Sequence, residues 1–216
     1  MRPARAQAWV ARALLLAAAG CAGPVVEGHV HEIRHGAARR LVVVPFAVPA
    51  GGPLVAGTSA GTVTDEADAA AKITRVVTEA FLAEGFEAVP ASDLTRSYAV
   101  QGRPVPYGDI PALARRAAEG FGASSVLLGR LHRYREREGG EYGAVHPAAV
   151  GFELSIHAAP DGEKLWSARF DHTQQAFSAA PFQAWQYPGG GMRWLTAQEL
   201  ARWGAEQAAE QVARLP

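Results

Sequence analysis

Seven histidines and a single cysteine are the side chains of this sequence best suited to chemistry. His29, His31 and His35 stand in an H-x-H-x3-H pattern, with Glu27 and Glu32 beside them. Imidazoles at that spacing hold Zn²⁺ when a strand or helix fixes their geometry. Here they occupy a stretch broken by Gly23, Pro24, Gly28 and Gly36 and without an apolar period, so a solvated linker is preferred and no metal site is assigned. The other histidines, at 132, 146, 157 and 172, show no ligand or catalytic spacing. No G-x-S-x-G nucleophile elbow occurs. Gly189-Gly190-Gly191 lacks the Lys and Ser or Thr that a phosphate loop needs. Asp161, Glu163 and Asp171 flank a turn, where carboxylates are ordinarily solvated. No catalytic residue and no cofactor are therefore assigned, and the chain reads as a non-enzyme. A ligand-binding or enzymatic domain is the less favoured alternative, because catalytic groups converge in space and not in sequence.

Recognition chemistry is better represented. Residues 172–203 contain Phe177, Phe182, Trp185, Tyr187, Trp194 and Trp203, much of the stretch lying between the last strand and the last helix with little periodicity. A long connection in a compact domain is usually functional or folded onto something. Trp and Tyr are also enriched at protein interfaces. Phe177, Phe182, Trp185, Tyr187 and Trp194 are thus the interface candidates, with a cover over the domain's own sheet as the open alternative. Arg130, His132, Arg133, Arg135 and Arg137 form a basic stripe answered by Glu136, Glu138 and Glu141. An edge strand and hairpin kept soluble by mixed charge are preferred over a binding face.

With only Cys21 present, no intramolecular disulfide can form. Residues 1–12 carry Arg2, Arg5 and Arg12 and no acid, and Ala13 to Ala19 is wholly apolar. That run is too short to cross a bilayer, which takes about 20 apolar residues, and has the length of a signal-peptide core. Leu16-Ala17-Ala18-Ala19-Gly20-Cys21 resembles the lipobox of bacterial lipoproteins. The resemblance implies a Cys21 thiol acylated with palmitate-type chains, the membrane partner of this chain. Each buried CH₂ contributes about 0.8 kcal/mol to anchoring. Ala22 follows where enterobacterial sorting reads Asp as a retention signal, so the expected place is the periplasmic face of the outer membrane. The expected organisation is a signal peptide over 1–20, lipidated Cys21 and a tether over 21–40, and one periplasmic domain over 41–216. Fully stretched, about 19 tether residues reach roughly 65 Å.

The elements that would position these residues are legible in the pattern. Of the 216 residues, 49% are apolar and 19% charged, a globular balance. Basic and acidic side chains number 21 each, and the three arginines before Cys21 leave the remainder at 18 against 21. Such a balance argues against a nucleic-acid partner. Leu41 to Val44 is a β-branched run typical of a buried strand, followed by a loop over 47–64. Ile73, Val77, Ala80 and Phe81 recur at helical spacing from about Asp65, and Gly85 stops the helix. A short strand reaches Val89, a helical turn follows Ser92-Asp93, and Asp109 caps a helix ended by Gly122. Ser125 to Leu131 is a strand that extends toward Tyr134, Gly139 to Pro147 a connecting loop, and Val150 to Ile156 an alternating strand. Asp161-Gly162 turns into the strand around Trp166 to Phe170. Thr196 and Glu199 form a capping box for the last helix. The predicted fold is α/β (α+β): one mixed sheet with packed helices, in the order β-α-β-α-β-β-β-α.

This outline resembles the envelope lipoproteins that share the fold of the curli-secretion lipoprotein CsgG and the TolB N-terminal domain, with LpoB and PelC as relatives. The carrying residues are Leu41-Val42-Val43-Val44-Pro45-Phe46, then Phe81-Leu82 before Gly85-Phe86, then Gly122-Ala123-Ser124-Ser125 leading into Val126 to Leu131. Asp161-Gly162-Glu163-Lys164-Leu165-Trp166 is similar to the group's "Asp-x-x-Gly-x-x-x-Trp" turn in shortened form, and Ser124 stands where Asp is common. The resemblance implies a protein working through contacts: a self-associating scaffold or accessory part of an envelope export or assembly complex, or a regulator docking on a cell-wall synthase. The short tether favours the scaffold. The strand-like stretches are too few and too charged for lipid-facing hairpins of a pore.

Overall fold

The computed structural model describes residues 25–32, 39–48 and 63–215. The signal peptide, Cys21, His35 and most of the 47–64 loop lie outside them. In chain order the elements are β1 (Glu27–Val30), β2 (Arg40–Val43), α1 (Val63–Ala83), β3 (Glu87–Val89), α2 (Ala91–Ala99), α3 (Ile110–Phe121) and β4 (Ser125–Arg135). They continue as β5 (Glu138–Gly140), β6 (Gly143–His146), β7 (Ala149–Ala158), β8 (Lys164–Thr173) and α4 (Ala197–Ala213). A helical turn at Pro181–Ala184 and a 3₁₀ turn at Pro188–Gly191 interrupt the last connection.

The main sheet runs β1-β8-β7-β4-β2-β3. Helical crossovers make β3, β2 and β4 parallel, whereas β4, β7, β8 and β1 are antiparallel neighbours. The predicted mixed sheet with packed helices is the fold observed, with β1 and the β5–β6 hairpin added to the expected order. Helices α1 and α4 pack together over one sheet face, burying Ile73, Val77, Phe81, Leu200, Trp203 and Ala208 on Leu127, Phe152 and Phe170. On the opposite face α2 and α3 cover only the β2 end, where Leu94, Leu113 and Ala117 meet Val42, Val44 and Val126. Among the described residues that face carries no helix over β8 and β1, and α3 reaches only as far as β7.

Local signals account for the helix ends. Asp109 accepts a hydrogen bond from the Ala112 amide at 2.9 Å, and Gly122 leaves α3 with φ +60°. Thr196 and Glu199 satisfy each other's backbone amides across the first turn of α4.

Three expectations are corrected. The stretch read as a tether contains β1, which pairs with β8 through Glu27↔Arg169 and Val30↔Trp166. It escapes a periodicity search because its four residues are all exposed and the apolar hold comes from Val26 just before them. The loop expected over 139–147 is the β5–β6 hairpin. The basic stripe is only partly at an edge: Arg130 sits on β4 between β7 and the Ala47 bridge, Arg133 and Arg135 ladder with β7 alone, and Arg137 lies past the strand.

Candidate functional site

The connection from β8 to α4 is stitched down by a few polar groups. Gln174 is 2% exposed. Its amide nitrogen donates to the Arg193 carbonyl at 2.8 Å and its oxygen accepts from the Leu195 amide at 2.6 Å. Arg193 donates to both oxygens of Glu199, at 2.8 and 3.1 Å. The Arg193 hydrogen bonds, followed by those from Thr196, pull the Glu199 carboxyl down to about 2. The hairpin joins the same assembly: the Trp194 amide donates to the Glu141 carbonyl at 2.8 Å, and Arg137 donates to the Trp194 carbonyl.

This framework sorts the five aromatic candidates. Trp185 is 71% and Phe177 40% exposed, with ring centres 6.3 Å apart. Trp194 is half-buried, and nothing is described of the Phe182 side chain. Tyr187, expected at the interface, is core: it is 4% exposed and packs at 4.9 Å on Trp203. The segment therefore both covers its own domain and presents rings to solvent. Sequence reasoning missed Tyr142, Val145 and Met192, each at least three-quarters exposed on the two segments that the Trp194–Glu141 bond joins. The hairpin carrying Tyr142 and Val145 has the glycines and charges of a loop, and Met192 follows three glycines, so neither gives a periodic signal.

The second uncovered region is the helix-free part of the sheet. A groove of about 420 Å³ lies there, lined by Glu27, His29, Arg130, Glu153, His157 and Arg169 among others. Its charges largely answer one another. Glu153 lies 3.5 Å from Arg169 and 3.2 Å from His132 Nε2, and Asp171 pairs with Arg133 and, at 3.4 Å, with Arg169. Ser155 Oγ is 3.1 Å from His157 Nε2, and the Nδ1 of that ring is 2.9 Å from the Gly162 carbonyl. Burial holds the His157 pKa below its usual value. A serine activated for nucleophilic attack also needs an oxyanion-stabilising pair of N–H groups, but the backbone of β7 is engaged in ladders on both sides. The arrangement pins the β7–β8 turn. His29 lies on β1 and His31 just past its end, bonded to Ser167 at 2.8 Å, yet the described residues contain no group of three metal ligands. No helix among them is long and apolar enough to cross a membrane.

No family model and no curated protein matches the chain. Among solved structures it is similar to PelC from Paraburkholderia phytofirmans, described as a dodecamer, at 16% identity and a TM-score of 0.44 over 84% of this chain and 94% of that one. Lipoprotein GNA1162 from Neisseria meningitidis shares 20% identity over 62% of this chain and 80% of its own, with a TM-score of 0.36. The LpoB C-terminal domain from Salmonella enterica shares 16% over 63% and 84%, with a TM-score of 0.35. These likenesses are of outline only.

Proposed function

We propose that this chain is a lipid-anchored, non-enzymatic scaffold or accessory protein of an envelope export or assembly complex. Cys21 carries the lipid, the periplasmic face of the outer membrane holds it, and self-association through protein contacts is its mode of action. The observation that carries the reading is where the folded domain starts. Val25 and Val26 pack at the sheet margin and β1 is already laddered to β8 at Glu27. Only three residues, Ala22 to Pro24, separate Val25 from Cys21, four backbone steps that span about 14 Å at full stretch. A regulator reaching across the periplasm needs far more chain than that. A scaffold that works at the membrane surface does not.

Among the described residues, the sheet face over β8 and β1 is uncovered and β1 has no strand on its outer side, which supplies room for a second copy, and exposed strand edges are ready templates for pairing. Two measurements test the reading. Light scattering on residues 22–216 across a dilution series should give a discrete multimer, whereas a monomer at every concentration overturns the scaffold. Replacing Cys21 with Ser should move the protein from the envelope fraction to the soluble one, and unchanged membrane retention removes the anchor.

A further inference from the structure

We propose that one end of the sheet rests on the lipid bilayer, with Trp185, Phe177, Tyr142, Val145 and Met192 entering its interfacial layer. The inference rests on the proposed lipid at Cys21 and adds an orientation and a contact surface to it.

The strand registers define the end concerned. Ala149, at the start of β7, pairs with both Arg135 at the end of β4 and Thr173 at the end of β8. Because β1 is antiparallel to β8, with Glu27 opposite Arg169 and Val30 opposite Trp166, it begins near that same end. His172 fixes the point of entry, its Nε2 bonding the Val25 carbonyl at 3.0 Å. The β5–β6 hairpin joins β4 to β7 here, and the 174–196 connection leaves β8 here.

Five of the nine exposed large apolar side chains described belong to those two connections. Tyr142 is 82%, Val145 77%, Met192 75%, Trp185 71% and Phe177 40% exposed. The two segments are held as one unit by the Trp194–Glu141 backbone bond and by Arg193, which lies 3.6 Å from Glu141. The other four are dispersed, Val30 on β1, Leu82 on α1, and Val100 and Tyr107 seven residues apart in the connection from α2 to α3, as scattered surface apolars ordinarily are.

Leash length selects lipid as the occupant. An acyl chain on Cys21 keeps Val25 within about 14 Å of the headgroups, so the bilayer is the first large surface this end meets. The residue types fit that surface: Trp and Tyr partition at headgroup level, and Phe, Met and Val enter the acyl boundary. Charge contributes little to the attachment. Arg193 is paired with Glu199, and Arg137 stands beside Glu136, Glu138 and Glu141 in the chain, so this end offers no excess of positive charge to anionic lipid. The contact should therefore survive high salt, unlike an electrostatic one.

The test uses the full lipoprotein purified from envelopes and reconstituted in phosphatidylethanolamine–phosphatidylglycerol vesicles with brominated acyl chains. Mass spectrometry of the Cys21 peptide reports the anchor, and tryptophan quenching reports the docking. Trp166 and Trp203 are buried, so Trp185 is the ring best placed to meet the quencher. Acylated Cys21 with quenching that falls by about twofold or more in Trp185→Phe, and that is unchanged at high salt, is the expected result. Acylated Cys21 with equal quenching in the two proteins overturns the docking and leaves the anchor standing. An unacylated Cys21 overturns both. Quenching replaced by a concentration-dependent blue shift of Trp185 emission overturns the docking and assigns the end to a second copy.

Discussion

Tyr187 and Trp185 stand two residues apart and have opposite roles. Tyr187 lies against Trp203 beneath the connection, whereas Trp185 projects from it. Removing a buried aromatic side chain costs about 3 kcal/mol or more, and removing an exposed one usually changes stability by about 0.5 kcal/mol or less. Tyr187→Ala should therefore shift the urea midpoint strongly, while Trp185→Ala leaves it near that of the native chain. Equal shifts would contradict the burial pattern. Sequence alone could not separate the two rings, because the partner of Tyr187 sits on α4 and the chain reaches it through three glycines at positive φ. Gly191 is the tightest of them, since a Cβ there would lie 2.5 Å from the Ala184 carbonyl oxygen. The Thr196–Glu199 capping box was legible because both partners lie within one turn. Thr196→Ala should cost about 1 kcal/mol, measured by the same denaturation.

At the scale of elements, α4 and β8 meet through a ring stack that leaves no slack. Phe170 is stacked on Phe152 at 5.1 Å and on His172 at 4.8 Å, with Trp203 edge-on at 5.9 Å. Gly204 lies against this ring, and a Cβ there would fall 2.6 Å from it. Alanine gains about 1 kcal/mol in helix propensity over glycine, but overpacking a filled core costs about 1–3 kcal/mol. Phe170 is hemmed in on three sides, so the clash wins and Gly204→Ala should lower the melting temperature. A raised melting temperature would mean that the stack yields. Sequence patterns captured the elements whose apolar residues recur at a fixed period, such as α1, β7 and α4. They missed β1, which has one ladder partner and four exposed side chains, and the β5–β6 hairpin, whose glycines and charges read as loop. Both missed elements lie at the margin of the fold, where burial no longer imprints alternation on the chain.

For the whole molecule, the mixed sheet with packed helices followed from crossovers and turn chemistry, whereas the order of strands across the sheet and the face each helix takes did not. What remained hidden was which parts of the surface stay uncovered, since that depends on contacts between segments far apart in sequence. The same long-range contacts set the response to acid. Burial against Phe170 and Trp203 lowers the pKa of His172, and burial likewise lowers that of His157. As pH falls through 6.5, the unfolded chain protonates these rings while the folded protein does not. Stability should thus be flat above neutrality and decline below it until the folded rings also take protons. Glu199 acts in a separate, lower window: its carboxyl is held at about 2 against an ordinary 4.5, so its contribution is intact above that ordinary value and fades toward about 2. His172→Gln should flatten the urea-midpoint profile between about pH 7.5 and about pH 5.5, and Glu199→Gln should flatten only the acid limb. A His172→Gln profile that keeps the native slope near pH 6 would assign that slope to other groups. Because His172 also bonds the carbonyl of Val25, this variant carries a second expectation at the same scale. Amide exchange along β1 should quicken while β4 and β7 stay protected, which would mark this histidine as the clasp between the folded domain and the chain leading back to Cys21.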